Sequence, residues 1–232
     1  MSTNGYRFIG LGLYTVPEAS RLSRVSVGRL RRWLRGYTFT TRTGPHKSPP
    51  VVTSQLPPLD GGLTLTFLDL QEIRLVDAFL EAGVQWKTLR LARVQAERAI
   101  GPYPFSRGKF VTDGRSIFYD MAPRAKSDGA FLNLVSHQTS FKRIVERFMV
   151  SLKFDADGQA IEWWPLGKSK LVVLNPKRSF GQPIVPREGV PTSILSRSYR
   201  VERSYPRVAR WYAVSERAVR HAVEYEETLV PA

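Results

Sequence analysis

The sequence lacks cysteine and has no apolar run long enough to cross a membrane. The absence of cysteine excludes disulfides and thiolate metal sites, and it is compatible with a reducing compartment. Because a membrane-spanning helix needs roughly 18 to 20 apolar residues in a row, no segment here predicts one. The first residues, Met1 to Asn4, lack the basic and then apolar layout of a secretion signal. We therefore expect a soluble, cytoplasmic protein.

The patterns that carry catalytic chemistry are also missing. His46, His137 and His221 are scattered along the chain, and none belongs to a His-x-x-x-His or Glu-x-x-His pattern. No nucleophile elbow and no glycine-rich phosphate loop is present. Asp113 and Asp155 stand in turn sequences, where aspartate commonly bonds nearby backbone groups. The sequence predicts a protein that is not an enzyme and needs no cofactor or metal.

Acidic residues are scarce at the N-terminal end. The whole chain has 35 Lys and Arg against 20 Asp and Glu, which gives a formal net charge of +15. Residues 1–47 alone contain nine basic residues and one acidic residue. Because cationic proteins gain affinity for polyanions by releasing counterions, this uneven charge favours nucleic acid as a partner.

Two short helices are predicted within this basic region. The first begins at Pro17 and ends near Arg24, and Val16, Ala19 and Leu22 keep helical spacing along it. A link of two residues, Arg24 and Val25, separates it from a second helix. Together the two helices predict a helix-turn-helix.

The second helix has one apolar face and one basic face. At 3.6 residues per turn, Val27, Leu30 and Leu34 share the first face, and the opposite face carries glycine and arginines. Ser26 is placed to cap the helix at its N-terminus. We predict that Arg29 and Arg32 contact bases, since arginine can bond both guanine acceptors. The alternative is a basic face that is merely solvated.

The segment after this helix resembles a wing. Residues 36–42 alternate aromatic and hydroxyl side chains, residues 43–50 form a breaker, and a β-like pattern resumes at Val51 and Val52. Two short strands around a basic loop would let the loop follow the phosphate backbone; the alternative is an ordinary polar connection. The complete set of predicted DNA-binding residues is Ser26, Gly28, Arg29, Arg31, Arg32, Arg35, Arg42, His46 and Lys47.

A pair of helices is predicted after the wing. One starts at Asp69 and runs to Gly83 in the position of a C-cap, and the next runs from Trp86 to Ile100. The order of helix, turn, basic helix, wing and helix pair, with the run of residues 69–90, resembles the N-terminal region of MerR-type regulators. The resemblance covers residues 11–100, and it implies binding of operator DNA.

The middle of the chain carries hairpin signals. Asp113 and Gly114 predict a type I′ turn within residues 108–119, which would serve as a second wing or pack on a core. Further predicted elements are a helix at residues 140–151, a hairpin of residues 152–154 and 161–164, and a buried strand at residues 171–174.

The C-terminal tract predicts three short helices. Ser215 is placed as an N-cap, and Ala218, Ala222 and Tyr225 line one face of the last helix. The tract is similar to a helical family of unknown function, the 433 family, found in antitoxins of VapB type. This resemblance implies a PIN-like ribonuclease toxin as partner, with a basic surface suited to the acidic pocket of the toxin. The predicted partner-binding residues are Arg197, Arg200, Arg203, Arg207, Arg210 and Trp211, and the alternative is solvated helix faces balanced by glutamates.

Together these features predict an α+β fold in three parts. Residues 1–105 would form a MerR-like winged helix-turn-helix, residues 106–180 a mixed region of hairpin and helix, and residues 181–232 a three-helix bundle for dimerisation or toxin binding. The favoured function is a homodimeric DNA-binding antitoxin of a type II toxin-antitoxin system that represses its own operon. The alternative is a stand-alone MerR-like regulator whose C-terminal part dimerises or senses a ligand.

Overall fold

The computed structural model describes residues 8–52, 54, 56–57, 62–110, 128–129, 132 and 138–229. The fold is α+β, as the sequence predicts. The chain divides into two compact units. The larger unit takes Tyr14–Met149 and Phe154–Ala160, and the smaller unit takes Met1–Leu13, Val150–Lys153 and Ile161–Ala232.

The two predicted N-terminal helices are confirmed. Strand β1 (Leu13–Thr15) leads into α1 (Val16–Ser23), and α2 covers Val27–Arg35. Thr15 and Glu18 form a capping box at the start of α1. The Ser26 hydroxyl accepts a hydrogen bond from the backbone N–H of Arg29 at 3.4 Å, so the predicted cap of α2 is also present.

The wing is a hairpin, but its second strand differs from the prediction. Strands β2 (Tyr37–Thr41) and β3 (Gly44–Ser48) pair antiparallel, so the segment interpreted as a breaker is itself a strand. A two-stranded ribbon tolerates Pro45 because the missing N–H needs no ladder partner at an edge. Val51 and Val52 are buried outside any strand, and both donate their N–H to the Trp33 carbonyl.

The helix pair of the larger unit is confirmed. Strand β4 (Thr64–Thr66) pairs with β1 and leads into α3 (Phe67–Glu81), and α4 covers Trp86–Ile100, the predicted bounds. Helix α3 begins two residues before the predicted start, because Thr66 and Asp69 form a capping box that places Asp69 at the third helical position.

The core of the larger unit contains a cluster of phenylalanine rings. Phe105 lies in a 3₁₀ turn (Pro104–Ser106), and its ring is 5.0 Å from that of Phe110 and 6.1 Å from that of Phe79. Helix α5 (Gln138–Met149) adds Phe141, 5.9 Å from Phe79. The hairpin predicted around Asp113 and Gly114 lies outside the described residues.

A four-stranded sheet follows α5. Its strand order is β5 (Leu152–Phe154), β6 (Ala160–Trp163), β7 (Val173–Leu174) and β8 (Pro183–Ile184). The turn between β5 and β6 is closed by the Asp155 carboxylate, which accepts from the N–H groups of Asp157 and Gln159. The predicted second hairpin is therefore confirmed, and the Asp155 carboxylate bonds nearby backbone groups within its turn, as the sequence predicts.

The smaller unit ends in the three predicted helices. They are α6 (Thr192–Glu202), α7 (Tyr205–Trp211) and α8 (Glu216–Thr228). The Ser215 hydroxyl accepts from the Ala218 N–H at 3.1 Å, as an N-cap does. The helices bury a shared apolar core that includes Leu195, Val208 and Val219.

Candidate nucleic-acid interface

Helix α2 presents a basic face to solvent. Gly28, Arg31, Arg32 and Arg35 are exposed. Among the described residues, no carboxylate oxygen lies within 4.0 Å of these three guanidinium groups. The face is therefore cationic and open to a partner.

The opposite face of α2 fixes the helix to the larger unit. Leu30, Trp33 and Leu34 are buried, and the Trp33 ring meets that of Trp86 edge to face at 5.1 Å. The sequence pattern predicts Leu30 and Leu34 in the core, and the structure adds Trp33 to them. The spacing along the sequence also indicates that Trp33 is buried, because Trp33 follows Leu30 by three residues and so lies on the same side of the helix.

Arg29 takes a different position from the exposed arginines. Its Nη2 lies 2.8 Å from a carboxylate oxygen of Asp77 on α3, and its guanidinium lies 5.0 Å from the centre of the Trp33 ring. Burial raises the pKa of Asp77, and the charge of Arg29 opposes that rise. The base contact predicted for Arg29 would require this side chain to leave Asp77.

The base of the hairpin is closely packed. Gly36 joins α2 to β2 at φ +70°, and a methyl group there would overlap the Ser48 carbonyl oxygen. From α4, Arg90 Nη2 donates to Ser48 Oγ and to the Pro49 carbonyl, each at 3.0 Å. Arg90 was not predicted as part of this region, since it lies about 40 residues away in sequence. These contacts fix where the hairpin leaves α2.

The remaining predicted DNA-binding residues lie on this hairpin. Arg42, His46 and Lys47 are all exposed. His46 and Lys47 belong to β3 rather than to a loop, which leaves Arg42 and Thr43 as the turn. His46 Nε2 is 2.9 Å from the Thr43 hydroxyl. The basic hairpin therefore follows α2 and its exposed arginines directly along the chain.

The predicted partner-binding residues lie on α6, on α7 and in the two-residue link between these helices, and all of them are exposed. Trp211 is 57% exposed, and two apolar residues of α6, Ile194 and Val201, are exposed as well. Arg207 pairs with Glu202 at 2.8 Å. The six predicted positions in this part of the smaller unit are Arg197, Arg200, Arg203, Arg207, Arg210 and Trp211.

Comparison with known proteins shows similarity along nearly the whole chain. The sequence is 29% identical over 223 residues to a Mycobacterium tuberculosis protein named as a candidate antitoxin, VapB45, covering 91% of this chain and 92% of that protein. The chain is similar to this candidate antitoxin. The crystal structure of Rv2018 from the same organism matches with a TM-score of 0.73 and 26% identity, covering 93% of this chain and 98% of Rv2018.

No family model matches the chain. The resemblances to MerR-type regulators and to the 433 family therefore stay predictions. Among the described residues, no three His, Asp or Glu side chains group as a metal site would require. In the same part of the chain, no helix is both long and apolar enough to cross a membrane.

Proposed function

We propose that this chain is a DNA-binding antitoxin that represses its own operon and neutralises a PIN-like ribonuclease toxin. The observation that carries the DNA-binding part is the exposed arginine face of α2, held in place by three buried residues on its other side. A short helix that follows a tight turn and presents arginines to solvent has the form of a recognition helix.

The arginines of α2 would make different contacts with the DNA. Arg32 is the candidate for base readout, because its planar fork can bond guanine O6 and N7 together. Arg31 and Arg35 would contact phosphates, with Arg42 and Lys47 of the hairpin extending the same track. Arg29 would hold α2 against α3 through Asp77.

Gly28 provides a test that spares the fold. A Cβ added at Gly28 meets no atom within 4 Å, and the residue is exposed within α2. Gly28→Glu would therefore add a carboxylate to the basic face without disturbing packing. Because the carboxylate would repel phosphates, we expect a loss of affinity of at least about tenfold.

The DNA-binding experiment uses fluorescence anisotropy on the full chain. The probe is the duplex immediately upstream of its own reading frame, compared with a scrambled duplex of the same length. We expect Arg32→Ala to lower discrimination between the two by about 1 to 3 kcal/mol. Arg143→Ala is the matched control, since Arg143 is an exposed arginine of α5 in the same unit. Wild-type chain that binds neither duplex would contradict the proposal.

The proposed binding of a toxin rests on the similarity to the candidate antitoxin and on the exposed surface of α6 and α7. An exposed tryptophan on a helix that also carries exposed arginines has the composition of a protein interface, and the positive charge suits an acidic pocket. The test is co-purification with the product of the adjacent reading frame. Trp211→Ala should reduce capture, whereas Phe180→Ala, which removes another exposed ring of the same unit, should not. Specific DNA binding without any captured toxin would favour a stand-alone regulator.

A further inference from the structure

One face of the hairpin is aromatic and open to solvent. Tyr37 and Phe39 lie two residues apart on β2, and Phe39 is directly opposite His46 on β3, so the three rings share a face. The Phe39 and His46 rings stack at 5.8 Å with an interplanar angle of 27°, and the Tyr37 and Phe39 rings are 5.7 Å apart. We call Tyr37, Phe39 and His46 the aromatic face.

The aromatic face is exposed although its rings are largely apolar. Tyr37 is 39% exposed and Phe39 is 43% exposed, and all five residues of β2 are exposed. Keeping apolar rings in water is unfavourable, and a grouped exposed patch commonly marks an interaction site. The rigid base made by Gly36 and Arg90 would let the hairpin deliver these rings without first becoming ordered.

The surrounding charge favours nucleic acid as the occupant. Residues 19–59, which include α2 and the hairpin, contain eight Lys and Arg and no Asp or Glu. Protein interfaces are depleted in lysine and in charge at their centre, whereas DNA interfaces are strongly positive. Gly36 alone separates the last residue of α2 from the first of β2, so a duplex bound by α2 lies next to the hairpin.

We propose that the aromatic face is an apolar part of the DNA contact, in which Phe39, supported by the His46 ring, packs into the minor groove beside α2. Apolar side chains commonly enter that groove and pack against sugars or between base steps. The proposal rests on the DNA-binding function above. It assigns affinity to the Phe39 ring, which carries no charge.

The salt dependence of binding distinguishes this contact from a phosphate contact. Loss of Lys47 should lower the slope of log affinity against log salt concentration by about 1, because one fewer counterion is released. Loss of the Phe39 ring releases no such ion. Phe39→Ala should therefore weaken binding by at least about tenfold while leaving the slope unchanged.

The experiment measures anisotropy titrations at several salt concentrations on the duplex upstream of the reading frame. Phe39→Thr accompanies Phe39→Ala, because threonine favours strands and preserves the hairpin. Phe39→Tyr keeps a ring and should retain affinity within about twofold. Leu91→Ala is the matched control, since Leu91 on α4 is 42% exposed, nearly the same as Phe39. Sedimentation of each variant without DNA reports the oligomeric state.

The outcomes separate this inference from the proposed function. If wild-type chain binds and Arg32→Ala weakens binding, but Phe39→Ala and Phe39→Thr bind normally, the aromatic face is not a DNA contact and α2 still is. If the Phe39 variants change the oligomeric state instead of DNA affinity, the face is a contact between protein chains and the proposal is overturned. If wild-type chain binds no duplex, both proposals fail.

Discussion

The Arg29 guanidinium lies 2.8 Å from the Asp77 carboxylate and joins α2 to α3. The sequence indicates an arginine face on α2, yet this one arginine points toward a partner within the protein. The pair separates two roles within a single helix: Arg29 anchors it, and Arg31, Arg32 and Arg35 face solvent.

We expect this pair to contribute modestly to stability. A double-mutant cycle of Arg29→Ala and Asp77→Ala should give a coupling of about 0.5 to 1 kcal/mol, because Arg29 is partly exposed and water screens the interaction. Urea unfolding of the four proteins measures it. Strictly additive changes would show that the contact contributes nothing, and an effect of Asp77→Ala on DNA discrimination alone would contradict the anchoring role.

Gly36 should be intolerant of any side chain. Gly36→Ala would force a positive φ on alanine and overlap the Ser48 carbonyl, so we expect a loss of about 2 kcal/mol or more. Gly44 also has a positive φ but faces open space, so Gly44→Ala should cost less. Gly28→Ala, in a helix and in open space, should stabilise by roughly 0.5 to 1 kcal/mol. Differential scanning calorimetry ranks the three; a different order would contradict this account of the hairpin base.

Stability should depend on pH through Glu72. This residue is fully buried on α3 and accepts hydrogen bonds from Arg93 Nε at 3.1 Å and from the Phe105 N–H at 2.7 Å. Burial raises the pKa of Glu72 to about 7, and Arg93 lowers it only in part. Because the pKa of Glu72 is higher in the folded chain than in the unfolded chain, the folded chain binds the proton more tightly. The associated stability is therefore complete below the unfolded pKa and is lost as the pH rises through about 7.

The measurement is the free energy of unfolding between pH 5 and pH 8. Wild-type chain should lose on the order of 2 to 3 kcal/mol across this range relative to Glu72→Gln, whose side chain does not titrate. Because all other groups are shared, the difference between the two curves isolates Glu72. Parallel curves would show that its pKa is the same in the folded and unfolded chain.

Local signals in the sequence predicted much of the fold. Ser26 and Ser215 are the N-caps that were predicted, and α4 has the predicted bounds. These features depend on residues three or four positions apart, so the chain encodes them over short distances. The second strand of the hairpin was missed because the prolines and glycine of residues 44–50 indicate a turn in isolation, whereas pairing with β2 makes part of that segment a strand.

The sequence by itself determined where the basic helix lies, which side of it is apolar, and that no acidic residue occurs between residues 19 and 59. The tertiary structure decided that Arg29 pairs with Asp77 and that Arg90 donates a hydrogen bond to the base of the hairpin. It also decided that Glu72 is buried in an ion pair with Arg93. Helical periodicity and capping act within one or two turns and can be read along the chain. An ion pair between residues 48 positions apart, as in Arg29 and Asp77, forms only when packing brings two helices together.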